Sequence, residues 1–441
     1  MKDDNDIIII GAGIAGLSLG ALLGAKTSRQ VLIIEAAHHL GGRVRVVEKD
    51  GFLLDWGIHA LLLGERSSVV RVLKEVGESV RIHGMGMAIV RGRRRLQVIG
   101  ATPLQSLRFE VLGMSDIAIL IRSLLKLSRS GSRVADMSVE DWLRTERAGK
   151  RLEELLKVFS IGLLATTAYD RASMSEISRF LLSAARTPTP LGYPEGGWNA
   201  LLMPFVKAVH DAQSVNILTG EKVTGIKVED GRAVGVFADE DFYPAGVVVA
   251  AIPARNLVSL LDTALLPMDF VKKVSGMRFT AGVSIDYALR RKISREKRVL
   301  AAVDPPSLGW FVSNVSPAIA PLGRQLLTLF SPVSEEDLYS EKATAGAFRR
   351  LESFYFHLFP DLEKNIIWDR RMRIIVNGVE LGVGYSMPMR PGIAVPGIKN
   401  LFLVGDTVAA PGAGGEIAAR SALLCFTELT EHGFTESRII V

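Results

Sequence analysis

Ile7-Ile8-Ile9-Ile10-Gly11-Ala12-Gly13-Ile14-Ala15-Gly16 is the stretch that decides the fold. An apolar run stops at a glycine turn, and a helical pattern takes over after it. A second apolar run, Val31-Leu32-Ile33-Ile34, follows and ends on Glu35. Strand, glycine turn, helix, strand and acid, in that order, form the βαβ unit that binds a dinucleotide. The glycines differ in their work. Gly11 permits the turn, Gly13 lets backbone approach a pyrophosphate, and Gly16 lets helix and strand pack closely. Ile14 and Ala15 open the helix, whose free N–H groups and dipole favour a bound anion. Glu35, followed by Ala36, stands where a carboxylate accepts from ribose hydroxyls. A carboxylate there argues for a free 2′-hydroxyl and against a 2′-phosphate.

The rest of the composition sets bounds. A chain of 441 residues is too long for one simple core, so two domains are expected. Apolar residues make up 48% of it and the mean hydropathy is +0.26, yet no apolar run reaches the roughly 18 residues that span a bilayer. The first strand begins within ten residues of Met1, which leaves no room for a secretory signal, and a cytoplasmic location is expected. One cysteine, Cys425, excludes an intrachain disulfide and a Cys-x-x-Cys redox pair. A net charge of +6 permits attraction to anionic surfaces. No nucleic-acid-binding motif accompanies it, and no His/Cys/Asp/Glu spacing suggests a metal site.

Two further segments point to a flavin. After Glu35 comes Gly41-Gly42-Arg43, a turn that can place a planar guanidinium over a pyrophosphate. Near the other end, Asn400-Leu401-Phe402-Leu403-Val404-Gly405-Asp406 reads as a strand ending in Gly-Asp. Pro411-Gly412-Ala413-Gly414-Gly415-Glu416 then opens a helix that runs past Ile417 through Ala422. Asp406 at a strand end can bond a ribityl hydroxyl. A glycine-rich helix start can aim N–H donors at flavin O2, where charge gathers on reduction. With Gly51-Phe52-Leu53-Leu54-Asp55-Trp56-Gly57-Ile58-His59, these segments resemble the FAD-dependent amine oxidase superfamily, which includes protoporphyrinogen oxidases and phytoene desaturases. Pro411-Gly412-Ala413-Gly414 is most similar to the desaturase branch.

The resemblance implies FAD as cofactor, with Gly57, Ile58 and His59 along the flavin ring, Val223 giving backbone contacts to adenine, and Ala251 at the returning strand. It implies an α/β architecture in which a Rossmann-type FAD-binding domain (1–75, 201–260 and 391–441) is interleaved with a mixed α+β substrate domain (76–200, mostly helical, and 261–390). Residue patterns agree: capping residues Ser138-Val139-Glu140-Asp141, a hairpin at Val223 to Val236 around Glu229-Asp230-Gly231-Arg232, and a buried strand from Gly246 to Ile252. Arg91-Gly92-Arg93-Arg94-Arg95 reads as a hairpin turn between strands at Met87 and Leu96.

Flavin chemistry asks little of the protein beyond an aimed C–H bond and a dry pocket. No catalytic side chain is assigned. His59 and Glu416 are the candidates, with a structural histidine and a dipole-favoured helix-start acid as the alternatives. Only one dinucleotide motif is present, so electrons are expected to come from an organic substrate and leave to oxygen or a quinone. The favoured reaction is hydride transfer from an apolar, isoprenoid-type molecule to flavin N5. Oxidation of an amine or a porphyrinogen is the second reading, and a flavin-binding sensor or partner protein is the third. Trp198 is read as core or as a wall of the substrate channel. Residues 104–133 carry an apolar stripe (Leu107, Val111, Met114, Ala118, Ile121, Leu125) beside a basic row (Arg122, Lys126, Arg129, Arg133). That pattern suits a helix lying on a membrane surface, or one packed on the protein.

Overall fold

A computed structural model describes residues 5–56, 60–100, 110–130 and 136–431. The opening motif builds the centre of a seven-stranded sheet. Its strands run in the order Val215–Thr219, Val31–Glu35, Asn5–Ile10, Asp241–Ala250, Arg232–Ala238 and Val223–Glu229, with Leu401–Leu403 also paired to Asp241–Ala250. Ile8 lies between Leu32 and Val248 in parallel register. A parallel strand is covered on both faces, which is why these strands read as continuous apolar runs. The helix Ile14–Lys26 packs against Trp198–Asp211 and Gly415–Glu431.

The strand Asp241–Ala250 serves two partners. Its first half pairs antiparallel with Arg232–Ala238, and its second half runs parallel to Asn5–Ile10. The hairpin before it turns at Asp230 (φ 48°) and Gly231 (φ 71°). Two successive left-handed residues match the twist of the flanking strands.

A second seven-stranded sheet has the order Ile366–Val379, Phe279–Leu289, Gln325–Val333, Pro306–Trp310, Val299–Val303, Met87–Arg91 and Arg94–Ile99. Side chains alternate across it. Val283, Ile285, Tyr287, Leu327 and Leu329 face the helix Glu341–Leu358, packing on Phe348, Leu351 and Tyr355. The alternate positions, Thr280, Ser284 and Asp286, share the opposite side with their cross-strand neighbours Thr328 and Phe330.

The stretch 76–200 is less uniformly helical than expected, with strands Ile82–Met85, Met87–Arg91, Arg94–Ile99 and Leu191–Pro194 among its helices. Helices Met114–Ser130, Val139–Thr145, Lys150–Leu163 and Met174–Ala184 are present, and Ser138 caps the second by accepting from Asp141 N at 3.0 Å. The Met87–Arg91 and Arg94–Ile99 hairpin leaves this stretch to extend the second sheet. Within 104–133, residues 101–109 and 131–135 lie outside the described residues, so Leu107 and Arg133 do too. Val111 is buried ahead of the helix, whereas Met114, Ala118, Ile121 and Leu125 are exposed along it. Leu120 and Asp116 face inward instead. Among the described residues no helix is long and apolar enough to cross a membrane.

Candidate active site: a glycine-walled cleft between the two sheets

The cleft begins at the glycine turn. Gly11 has φ +101° and would bring a Cβ to 3.0 Å from Ala251 O, so no side chain suits it. At Gly16 a Cβ would stand 2.0 Å from Gly11 O, inside the turn itself. Gly16 is therefore a packing residue, buried beneath the cleft rather than lining it. Gly13 is the opposite case: a Cβ there meets nothing within 4 Å, because the residue opens onto the cleft. Ile14 and Ala15 follow it at the wall. Gly41 and Gly42, both left-handed, lay the next turn directly on this one. Gly41 N donates to Ala12 O at 2.8 Å, and a Cβ on Gly42 would come to 3.3 Å from Gly13 Cα. Two glycine turns in contact expose backbone to the same space, a surface that fits a pyrophosphate.

Glu35 ends its strand at the cleft wall. Oε2 accepts from Ala12 N at 2.7 Å and Oε1 from Ala37 N at 2.8 Å, so the carboxylate braces the glycine turn while keeping lone pairs for a diol. Ala36 is exposed just beyond and does not line the cleft. Val223 is buried at the start of its strand, also off the cleft wall. The chain before it passes close, with Gly220 N donating to Ala37 O and Glu221 N to Glu35 O.

Folding unites the two ends of the chain. Arg43 Nη1 donates to Asp406 Oδ2 at 2.7 Å, across 363 residues. Asp406 is buried, which alone would raise its pKa. The Arg43 charge and hydrogen bond, with Val379 N–H, more than offset this and hold the carboxyl below the usual carboxylate range. Gly405, Gly414 and Gly415 line the cleft beside it, as does Ala251. Ile417, one turn into the last helix, is fully buried and faces the core.

Glu416 has its carboxylate occupied. Oε2 accepts from Ser68 N at 2.7 Å and Oε1 from Ser68 Oγ at 2.6 Å, at the start of the helix Ser68–Glu75. Burial pushes its pKa up, the Ser68 bonds pulling the other way. It ties the glycine-rich helix start to a second helix N-terminus, a positioning task. Gly57, Ile58 and His59 lie outside the described residues. Among those described, no group of His, Cys, Asp or Glu could hold a metal.

The cleft, about 430 Å³, continues past these elements into an arm whose lining, Trp198 apart, sequence reasoning did not name. Met87, Leu191, Val299, Leu308, Trp310 and Phe330 line it, with residues 161–165 at a helix end. Trp198, the first residue of its helix, forms part of the wall. These positions come from separate strands with no local motif. Alternation in the second sheet could have indicated Met87, Val299, Leu308, Trp310 and Phe330, but not Leu191 or the helix residues.

The match to known proteins agrees with this geometry. Residues 14–425 fit the model of the flavin-containing amine oxidoreductases, and the chain belongs to that family. It is 23% identical to a 4,4'-diapolycopen-4-al dehydrogenase of Metabacillus indicus, over 97% of each chain. A coproporphyrinogen III oxidase of Staphylococcus aureus is 22% identical over 40% of this chain and 39% of its own. Among solved structures, an oxidoreductase of Methanosarcina mazei superposes with a TM-score of 0.78 at 21% identity, covering 95% of this chain and 99% of that one. Putrescine oxidase superposes with a TM-score of 0.72 at 16% identity, covering 97% and 99%. The protein is an FAD-dependent oxidoreductase, with an α/β fold of the amine oxidase type.

Proposed function

We propose that the protein dehydrogenates an apolar, isoprenoid-type substrate held in the arm of the cleft. One observation carries the reading. Among the described lining residues, the ionisable ones are Glu35, Arg43, Asp406 and Glu416, and all sit on the glycine-turn elements. The arm beyond them is walled by apolar side chains. A hydrocarbon there gains roughly 25 cal/mol for each Å² taken from water, whereas a charged amine would lose its hydration with no partner on those walls. The likeness to the diapolycopenal dehydrogenase along nearly the whole chain supports the same class.

In this reading Glu35 takes the ribose, the Ile14–Lys26 helix start and Arg43 take the pyrophosphate, and Asp406 takes the ribityl chain. FAD held there would supply the acceptor for a hydride from a substrate C–H bond, with oxygen or a quinone as the final electron acceptor, and the proton from the neighbouring carbon would leave to solvent outside the arm. The chain's own part is to exclude water and fix the C–H bond against the ring. Contact with a membrane surface through Met114–Ser130 belongs to the same proposal, since an apolar substrate is delivered from a bilayer.

The experiment is anaerobic bleaching of the bound flavin by linear isoprenoids, amines and porphyrinogens in turn. Isoprenoids are expected to bleach it. Fast bleaching by an amine or a porphyrinogen, with no response to any isoprenoid, overturns the reading in favour of that substrate.

A further inference from the structure

The helix Lys150–Leu163 ends over the apolar arm, and its next-to-last residue is Gly162. Gly162 lines the cleft together with Met87 and Leu308. A Cβ at this position would lie 3.2 Å from Met87 Cε and 3.8 Å from Leu308 Cδ2. A side chain here would therefore enter the arm between the tips of two residues that wall it. Glycine is a poor helix residue, because it gives up more backbone freedom on folding than alanine. Gly162 has helical backbone and none of the left-handed φ that would require glycine. What the missing side chain provides is room for the tip of Met87, which any side chain here would push toward the arm that both residues line.

We propose that Gly162 determines substrate specificity by keeping the deep part of the arm open to a long hydrocarbon. The inference rests on the apolar-substrate reading above and adds a length limit to it. Shape alone discriminates here, since Met87 and Leu308 offer no hydrogen bond. A group at residue 162 would act on long ligands and spare short ones. Alanine asks little: the nearest neighbour is the free end of a methionine, which can move by a few tenths of an ångström. Leucine would take the place of the Met87 tip and narrow the arm.

The test uses the FAD-loaded protein and three allylic alcohols of one headgroup and rising length: geraniol, farnesol and geranylgeraniol. Binding is read from the change in flavin absorbance. Wild type is expected to bind tighter with each added unit. Gly162→Leu should bind geraniol like wild type but lose tenfold or more for geranylgeraniol, with flavin content and unliganded spectrum unchanged. Gly162→Ala, which the helix favours, should fold well and show a smaller loss of the same kind. Adding Met87→Ala to Gly162→Leu should restore long-ligand binding. Equal losses at all three lengths, undiminished geranylgeraniol binding by Gly162→Leu, or no rescue by Met87→Ala overturns the length limit and leaves the apolar-substrate reading standing. Wild type that holds FAD yet binds none of the three overturns both.

Discussion

Glu35 carries two loads at once, and substitution separates them. Its oxygens accept from Ala12 N and Ala37 N, and the carboxylate also stands where a ribose diol would lie. Glu35→Ala is expected to weaken FAD retention by roughly 1.5–3 kcal/mol, the scale of a hydrogen bond to a charged group. Flavin titration of the apoprotein checks this, and unchanged affinity would remove Glu35 from the ribose site. Asp55 makes a different prediction. Burial pushes its pKa from 3.8 up to about 7; Tyr193 O–H, donating at 2.6 Å, opposes the shift, and nearby Asp286 adds to it. The folded protein keeps this proton across a range in which the unfolded chain has released it. Stability should therefore fall as pH rises from about 4 to about 7 and level off above that. Asp55→Asn should flatten this part of the curve of denaturation midpoint against pH. Glu176 and Glu416, also raised by burial, remain in both proteins, so the difference reports Asp55 together with its effect on neighbouring Asp286. Asp406 behaves oppositely. Its depressed pKa means that the stability contributed by the Arg43 pair is lost only as pH falls below the ordinary carboxylate range.

Elements differ in how far the chain announces them. The turn at Gly11 to Gly16, the acid at Glu35 and the strand into Asp406 were legible because local backbone demands specific residues: glycine where φ is positive or another backbone touches. The two-sided strand Asp241–Ala250 and the walls of the arm were not. They depend on which strands meet, and pairing leaves no short-range signature. Arg390 is the clearest omission. It is buried and donates to Val408 O, Ala410 O and Tyr385 O, with Glu176 Oε1 at 3.5 Å. This fork frames the loop between Asp406 and the glycine-rich helix start, pinning it to the helix Met174–Ala184. As one arginine in Met387-Pro388-Met389-Arg390-Pro391, it carries no spacing signal. Arg390→Met should cost about 3–5 kcal/mol, because it leaves Glu176 buried without its counter-charge. Adding Glu176→Gln should recover only part of that loss, since the loop carbonyls remain unpaired. Denaturant unfolding of both proteins measures it; full recovery in the double variant would mean that the loop contacts contribute nothing.

At the scale of the whole molecule, the helix Met114–Ser130 is where the protein would meet a membrane. Its inner side is held by Leu120 and by Trp142 Nε1 donating to Ser123 Oγ at 3.0 Å. Its outer side shows Met114, Ile121 and Leu125, at 83%, 52% and 46% exposure, beside Arg122 and Lys126. Apolar residues turned outward with basic residues along their edge match a helix lying in the plane of a lipid surface. Glu146 tempers the charge, pairing with Arg122 and standing 3.8 Å from Lys126. Each basic residue near an anionic leaflet adds about 1 kcal/mol, so attraction here should be weak, reversible and sensitive to salt. Anionic vesicles should therefore sediment the protein at low ionic strength and release it at high. Ile121→Asp with Leu125→Asp should abolish the low-salt binding, and Arg122→Glu with Lys126→Glu should abolish it while leaving bleaching by a detergent-dispersed substrate intact. Glu146→Gln should strengthen binding by removing the negative charge beside both cations. If the wild type never sediments with anionic vesicles, the outward stripe is no membrane surface, and substrate must reach the arm from solution or from another protein.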